Sequence, residues 1–119
     1  MTPPARRPFE LPMTMVVTTC QDEEGFVAHA LDFDLVAVAA TEDGALDKVR
    51  LAVKTYIEYG ITNNWEADIM FPAPKECWDK ISTDTVIKMM EPITVMDRRL
   101  LVFRAVPAHH DLRPVSAVA

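Results

Sequence analysis

"GFVAHALDFDLVAVAATEDGALDKVRLAVKTYIEYG", residues 25 to 60, changes its hydrophobic period halfway along. Before Thr41, "FVAHALDF" and the small-residue run "VAVAA" (36–40) follow the two-residue alternation of strands, whose side chains point to opposite faces in turn. After Thr41, Leu46, Val49, Val53, Tyr56 and Ile57, joined by Ala45 and Ala52, recur at three- and four-residue steps. Lys48, Arg50, Lys54 and Glu58 fall on the other side, as in an amphipathic helix. Thr41 is the expected N-cap, and Glu42 and Asp43 occupy the first turn, where the helix dipole favours negative charge. Gly60 is expected to end the helix as its C′ residue. Leu51 points toward the polar face and reads either as an isolated exposed leucine or as a subunit contact.

Working outward, "MTMVVTTC" (13–20) is rich in β-branched residues and alternates, which predicts a first strand. "QDEEG" supplies a polar turn, and Gly25 can take a positive φ without steric cost. A bend at "DFDL" then leads into the third strand, so three antiparallel strands precede the helix. Beyond it, Pro72 and Pro74 mark an irregular crossing with one helical turn expected at 75–81. Trp65 and Trp78 lie in this crossing and read as core caps or groove walls. "TDTVIKMM" (83–90) and "ITVMDRRLLVFRAV" (93–106) predict two or three more strands, with a bend at Met96, Asp97, Arg98 and Arg99. The fold class expected is α+β, with an antiparallel sheet of three strands, one amphipathic helix and further strands. Residues 13–106 form the domain. Residues 1–12, with four prolines, are expected to be an extended arm, and the unpatterned residues 107–119 a flexible tail.

A chain of 119 residues, half of them apolar, suits one hydrophobic core. Its net charge of −6 argues against a general nucleic-acid or anionic-membrane surface, which would repel it. The charge is concentrated. Cys20 to Asp47 contains Asp22, Glu23, Glu24, Asp32, Asp34, Glu42, Asp43 and Asp47 and no Lys or Arg, so this stretch carries −8 while the rest sums to +2. Such a run reads either as solvated turns and a helix N-terminus or as a contact face for a basic protein.

No catalytic, metal or cofactor site is predicted. Cys20 and Cys77 stand 57 positions apart with no CxxC, so two reduced thiols in a cytoplasmic protein are expected. His29 lies in a strand beside Val27 and Leu31 and reads as structural, although a small enzyme working through His29 and Cys20 is an alternative. The adjacent His109, His110 and Asp111 offer metal-ligand chemistry without a closed shell. Asp32 and Asp34 read better as turn acids than as a metal-binding pair, since 13–20 contributes no third carboxylate. Three glycines leave no room for a GxGxxG or P-loop cradle. The start makes a poor signal peptide, and no segment approaches the roughly 18 apolar residues of a membrane span.

The order of these elements, with the charged turn "DEEG", the bend "DFDL" and the helix "TEDGALDKVRLAVKTYIEYG", resembles the HicB-like antitoxin domain. Thr41, Ala45 and Leu46 occupy the positions of that family's "T-x-x-x-A-L" helix start, and "FPAP" (71–74) with strand 83–90 is similar to its crossing and final strand. The resemblance covers about residues 13 to 90. It implies a partial ribonuclease-H-like sheet with a helix on one face, no catalytic carboxylates, association into dimers or tetramers, and binding to the basic face of a small HicA-type toxin ribonuclease. Residues 91–106 depart from the family by reading as extra strand where a DNA-binding module is usual, and "DFDLV" lacks the Pro and Gly of the commoner bend. The expectation is therefore a non-enzymatic protein-binding domain, with Asp22, Glu23, Glu24, Asp32 and Asp34 on the partner face. The alternative is a self-associating structural domain that pairs through an exposed edge strand carrying Leu100, Leu101, Val102 and Phe103.

Overall fold

The computed structural model describes residues 13–81 and 85–107. The predicted arm and most of the predicted tail, with His109, His110 and Asp111, lie outside the described residues. Three strands come first, β1 (Met13–Asp22), β2 (Gly25–Ala30) and β3 (Leu35–Ala39), followed by the helix α1 (Glu42–Thr62). Two short helices, α2 (Glu66–Ile69) and α3 (Lys75–Asp79), occupy the crossing, and β4 (Thr85–Met89), β5 (Ile93–Val95) and β6 (Arg98–Pro107) complete the fold. The class is α+β, a mixed six-stranded sheet with one main helix.

The sheet order is β3-β2-β1-β6-β4, with β5 also on β6. The β1, β2 and β3 pairs are antiparallel, as the alternating sequence predicts. β6 runs parallel to β1, placing Met13 opposite Leu100 and Thr18 opposite Ala105. β4 and β5 lie end to end along the far side of β6, both antiparallel to it. The break between them falls at Met90–Pro92. Met90 N–H still bonds the Val102 carbonyl at 2.8 Å, but Pro92 has no N–H to continue the ladder.

Alternation assigns one set of side chains to the face under α1. Met15, Val17, Ala28, Ala30, Ile93, Val95, Leu100 and Val102 pack there against Ala45, Leu46, Val49, Val53 and Ile57, all buried. Burying a large aliphatic side chain contributes about 1.5–3 kcal/mol, so this layer is the main source of stability. On the opposite face α3 and the crossing cover part of the sheet. Trp78 is buried with Leu31 and Ala73, and its Nε1–H donates to the Ala73 carbonyl at 3.0 Å. Trp78 is thus a core cap. Trp65 remains half-exposed and packs edge-on against Tyr59, with ring centroids 5.3 Å apart.

Two expectations are corrected. Gly60 does not end α1. It is buried inside the last turn, and a Cβ on it would lie 2.6 Å from Ile69 Cγ1, so glycine is there for close helix packing. The C′ residue is Asn64, with φ +59, and the bonds Asn64 N–H to Ile61 C=O and Trp65 N–H to Gly60 C=O form a Schellman closure. Second, the apolar run on β6 is no exposed edge, because β6 lies between β1 and β4/β5. Leu100 and Val102 are core residues under the helix, while Leu101 and Phe103 are half-buried on the other face. The strand expected at 83–90 is present as the outer β4, and the strand that the later segment places beside β1 is β6.

Candidate partner-binding site

Five acids singled out by the sequence fall at the two ends of β2, about 17–20 Å apart at the usual rise per strand residue. The structure therefore does not bring them together. Asp22, Glu23 and Glu24 form the tip of the β1–β2 hairpin and are exposed. Asp22 Oδ1 accepts from the N–H groups of Glu24 (2.8 Å) and Gly25 (3.0 Å), which fixes the tip. Gly25 has φ +147, and a Cβ there would meet the Ala39 carbonyl at 2.4 Å, so no other residue fits.

Asp32 and Asp34 are at the other end and are occupied internally. Asp32 is buried, and its Oδ1 accepts the Val16 N–H at 2.7 Å. Burial pushes its carboxyl up to about 6, with the Val16 hydrogen bond acting in the opposite direction. Asp34, at φ +52, places Oδ1 2.7 Å from His29 Nε2. The same bend is held by Leu31 N–H to the Val16 carbonyl and by Ala73 N–H to the Leu31 carbonyl. This end is a structural knot joining β1, β2 and the crossing.

The hairpin tip gains other acids from farther along the chain. Phe26 lies opposite Ala39, so β3 ends beside the start of β2 and delivers the first turn of α1 to the same end of the sheet. Thr41 caps the helix through its Oγ1 and Gly44 N–H (3.0 Å). Glu42 then turns inward, 2.6 Å from Arg104 Nη2 and accepting from Thr19 Oγ1 at 2.9 Å, which locks helix, β1 and β6 together. Asp43 and Asp47 stay exposed. The exposed acids of this end are thus Asp22, Glu23, Glu24, Asp43 and Asp47, with Lys48 nearby donating to the Val38 carbonyl. The acidic run of 20–47 contains Asp43 and Asp47 together with the hairpin acids, but their position in the fold relative to Asp32 and Asp34 follows from the strand pairing.

A second feature is a cavity of about 200 Å³ on the sheet face away from α1, lined by Thr18, Cys20, Val27, His29, Cys77 and Lys80 among others. It brings Cys20 and His29 to one wall, as neighbours on paired strands. His29 is already engaged with Asp34, in an orientation that would also suit a structural histidine. Among the described residues no group of three or more His, Cys, Asp or Glu is placed to hold a metal, and no helix is long and apolar enough to cross a membrane. Against known proteins, no family model, no curated protein and no solved structure matches this chain.

Proposed function

We infer that this chain is a non-catalytic protein-binding domain of the HicB-like kind, and that its acidic end receives a basic partner such as a small HicA-type toxin ribonuclease. The observation that carries the reading is the gathering of Asp22, Glu23, Glu24, Asp43 and Asp47, exposed, at one end of the sheet. The hairpin tip is held by Asp22 and Gly25, so its charges are presented with little ordering cost on binding. Opposite charge on a partner would steer association and fix orientation. The meander β1–β3 with α1 on one face also supports the reading, since it has the layout that the resemblance implies.

Size exclusion with light scattering, before and after mixing with a basic HicA-type ribonuclease, tests this. A salt-sensitive hetero-complex is expected. Charge reversal of Asp22, Glu23 and Glu24 to Lys should weaken it by more than about tenfold at low salt, whereas Asp34→Asn should leave it intact. Absence of a complex, or equal effects at both ends of β2, would remove the reading.

A further inference from the structure

The two sides of the sheet, β3 on one and β4 with the three-residue β5 on the other, are not alike. β4 carries Lys88 on its exposed surface, and beyond its end comes the Pro92 interruption, both of which discourage edge-to-edge pairing. β3 is "LVAVA", with no charge, no proline and no bulge, and Val36 and Val38 are 55% and 48% exposed. Its free hydrogen-bonding groups can be placed. Lys48 Nζ donates to the Val38 carbonyl at 3.2 Å, so the peptide groups of Val38 face away from β2, and by alternation those of Val36 do too.

This edge is complementary to itself. An antiparallel copy centred on Ala37 puts Val36 opposite Val38 of the copy and Ala37 opposite its own equivalent, so the outward groups of both valines meet their partners. Above the edge, α1 presents a shallow groove lined by Lys48, Leu51, Ala52, Thr55, Tyr56 and Tyr59, with Leu51 66% and Tyr59 60% exposed. Lys48 belongs to both features, which shows that groove and edge are continuous.

Spacing supports a second copy as the occupant. α1 packs over β2 and β3. With strands about 4.8 Å apart, a helix axis midway between β2 and β3 lies about 5 Å from a twofold axis at the β3 edge. Two such helices would then be about 10 Å apart, at the limit of ordinary helix packing (8–10 Å). Pairing the edges therefore brings the two grooves face to face and covers Leu51 and Tyr59 in the same act.

We propose that the β3 edge and the α1 groove above it form a twofold interface between two copies of this chain, extending the sheet across Ala37. It does not depend on the basic partner proposed above. Lys48 Nζ must release the Val38 carbonyl for the two edges to pair.

Sedimentation velocity over a concentration series tests it. The wild type should reach a dimer. Val38→Pro removes an outward N–H and fixes φ at that position, and the double variant Leu51→Glu/Thr55→Glu changes exposed helix residues; each should raise the dimer Kd by at least about tenfold. Lys48→Met should lower it, an effect that a merely structural role for Lys48 would not produce. If circular dichroism shows Val38→Pro unfolded, the helix variant decides alone. A wild type that stays monomeric, or an oligomer whose mass ignores the helix variant, overturns the proposal.

Discussion

The carboxylate of Asp32 lies 2.7 Å from the backbone nitrogen of Val16, sixteen residues earlier, in a site that leaves the side chain buried. The bond satisfies a β1 donor that would otherwise lack a partner at the point where β2 diverges, and it holds the β2–β3 bend against β1. Its cost is a carboxyl group that resists ionisation.

That cost sets a pH dependence. With its pKa raised from 3.8 to about 6 by burial, folded Asp32 holds its proton more tightly than the unfolded chain does. Its contribution is fully present below about 3.8 and is lost as pH rises through about 6, up to about 3 kcal/mol. Asp32→Asn keeps an acceptor for Val16 and cannot ionise. Urea unfolding at pH 5 and pH 7.5 should therefore show a smaller loss of stability in the variant than in the wild type; equal slopes would mean that the buried carboxylate is not the cause.

Gly60→Ala should destabilise, although alanine favours a helix over glycine by about 1 kcal/mol. The new Cβ meets Ile69 Cγ1 and Cδ1, which are themselves buried and have little room to move. Overpacking of this kind costs about 1–3 kcal/mol. Ile69→Val in the same chain should recover part of the loss, a non-additivity readable in thermal melts.

The hairpin turn between β5 and β6 consists of Met96 and Asp97, with φ +48 and +70. These are the left-handed angles of a type I′ turn, for which Asn-Gly is the preferred pair. Met96→Asn with Asp97→Gly should stabilise the domain by about 0.5–1.5 kcal/mol, seen as a higher Tm with unchanged circular dichroism.

Trp78→Ala should cost about 3–5 kcal/mol, the range for deleting a buried aromatic side chain. The variant also leaves the Ala73 carbonyl without its Nε1–H donor. Because Trp65 is about half exposed and Trp78 is buried, the Trp78→Ala protein should emit at longer wavelength than the wild type, reporting Trp65 alone.

The order of the first three strands and α1, and the face that α1 turns toward the core, were legible in the sequence. Hydrophobic period is a local property, set by how far the backbone rotates per residue, and the switch at Thr41 marks it plainly. Capping at Thr41, the glycine turn at Gly25 and the bend expected at 96–99, which the structure narrows to Met96 and Asp97, are likewise local steric and hydrogen-bonding choices. Sheet order is not local. "LLVF" reads as an apolar strand wherever it lies, and only the pairing of β6 with β1 on one side and with β4 and β5 on the other made it interior, leaving β3, β4 and β5 outermost. Charge behaves in the same way. The eight acids of 20–47 are one run along the chain, but strand reversal sends Asp32 and Asp34 to the far end and starts α1, with Asp43 and Asp47, at the hairpin's end of the sheet. Gly60 shows the limit most sharply, since a glycine at a helix end and a glycine under Ile69 look alike until the crossing segment is folded back upon it. Periodicity thus fixed which faces are buried, and long-range pairing, which depends on residues many positions apart meeting in register, decided which surfaces were left open.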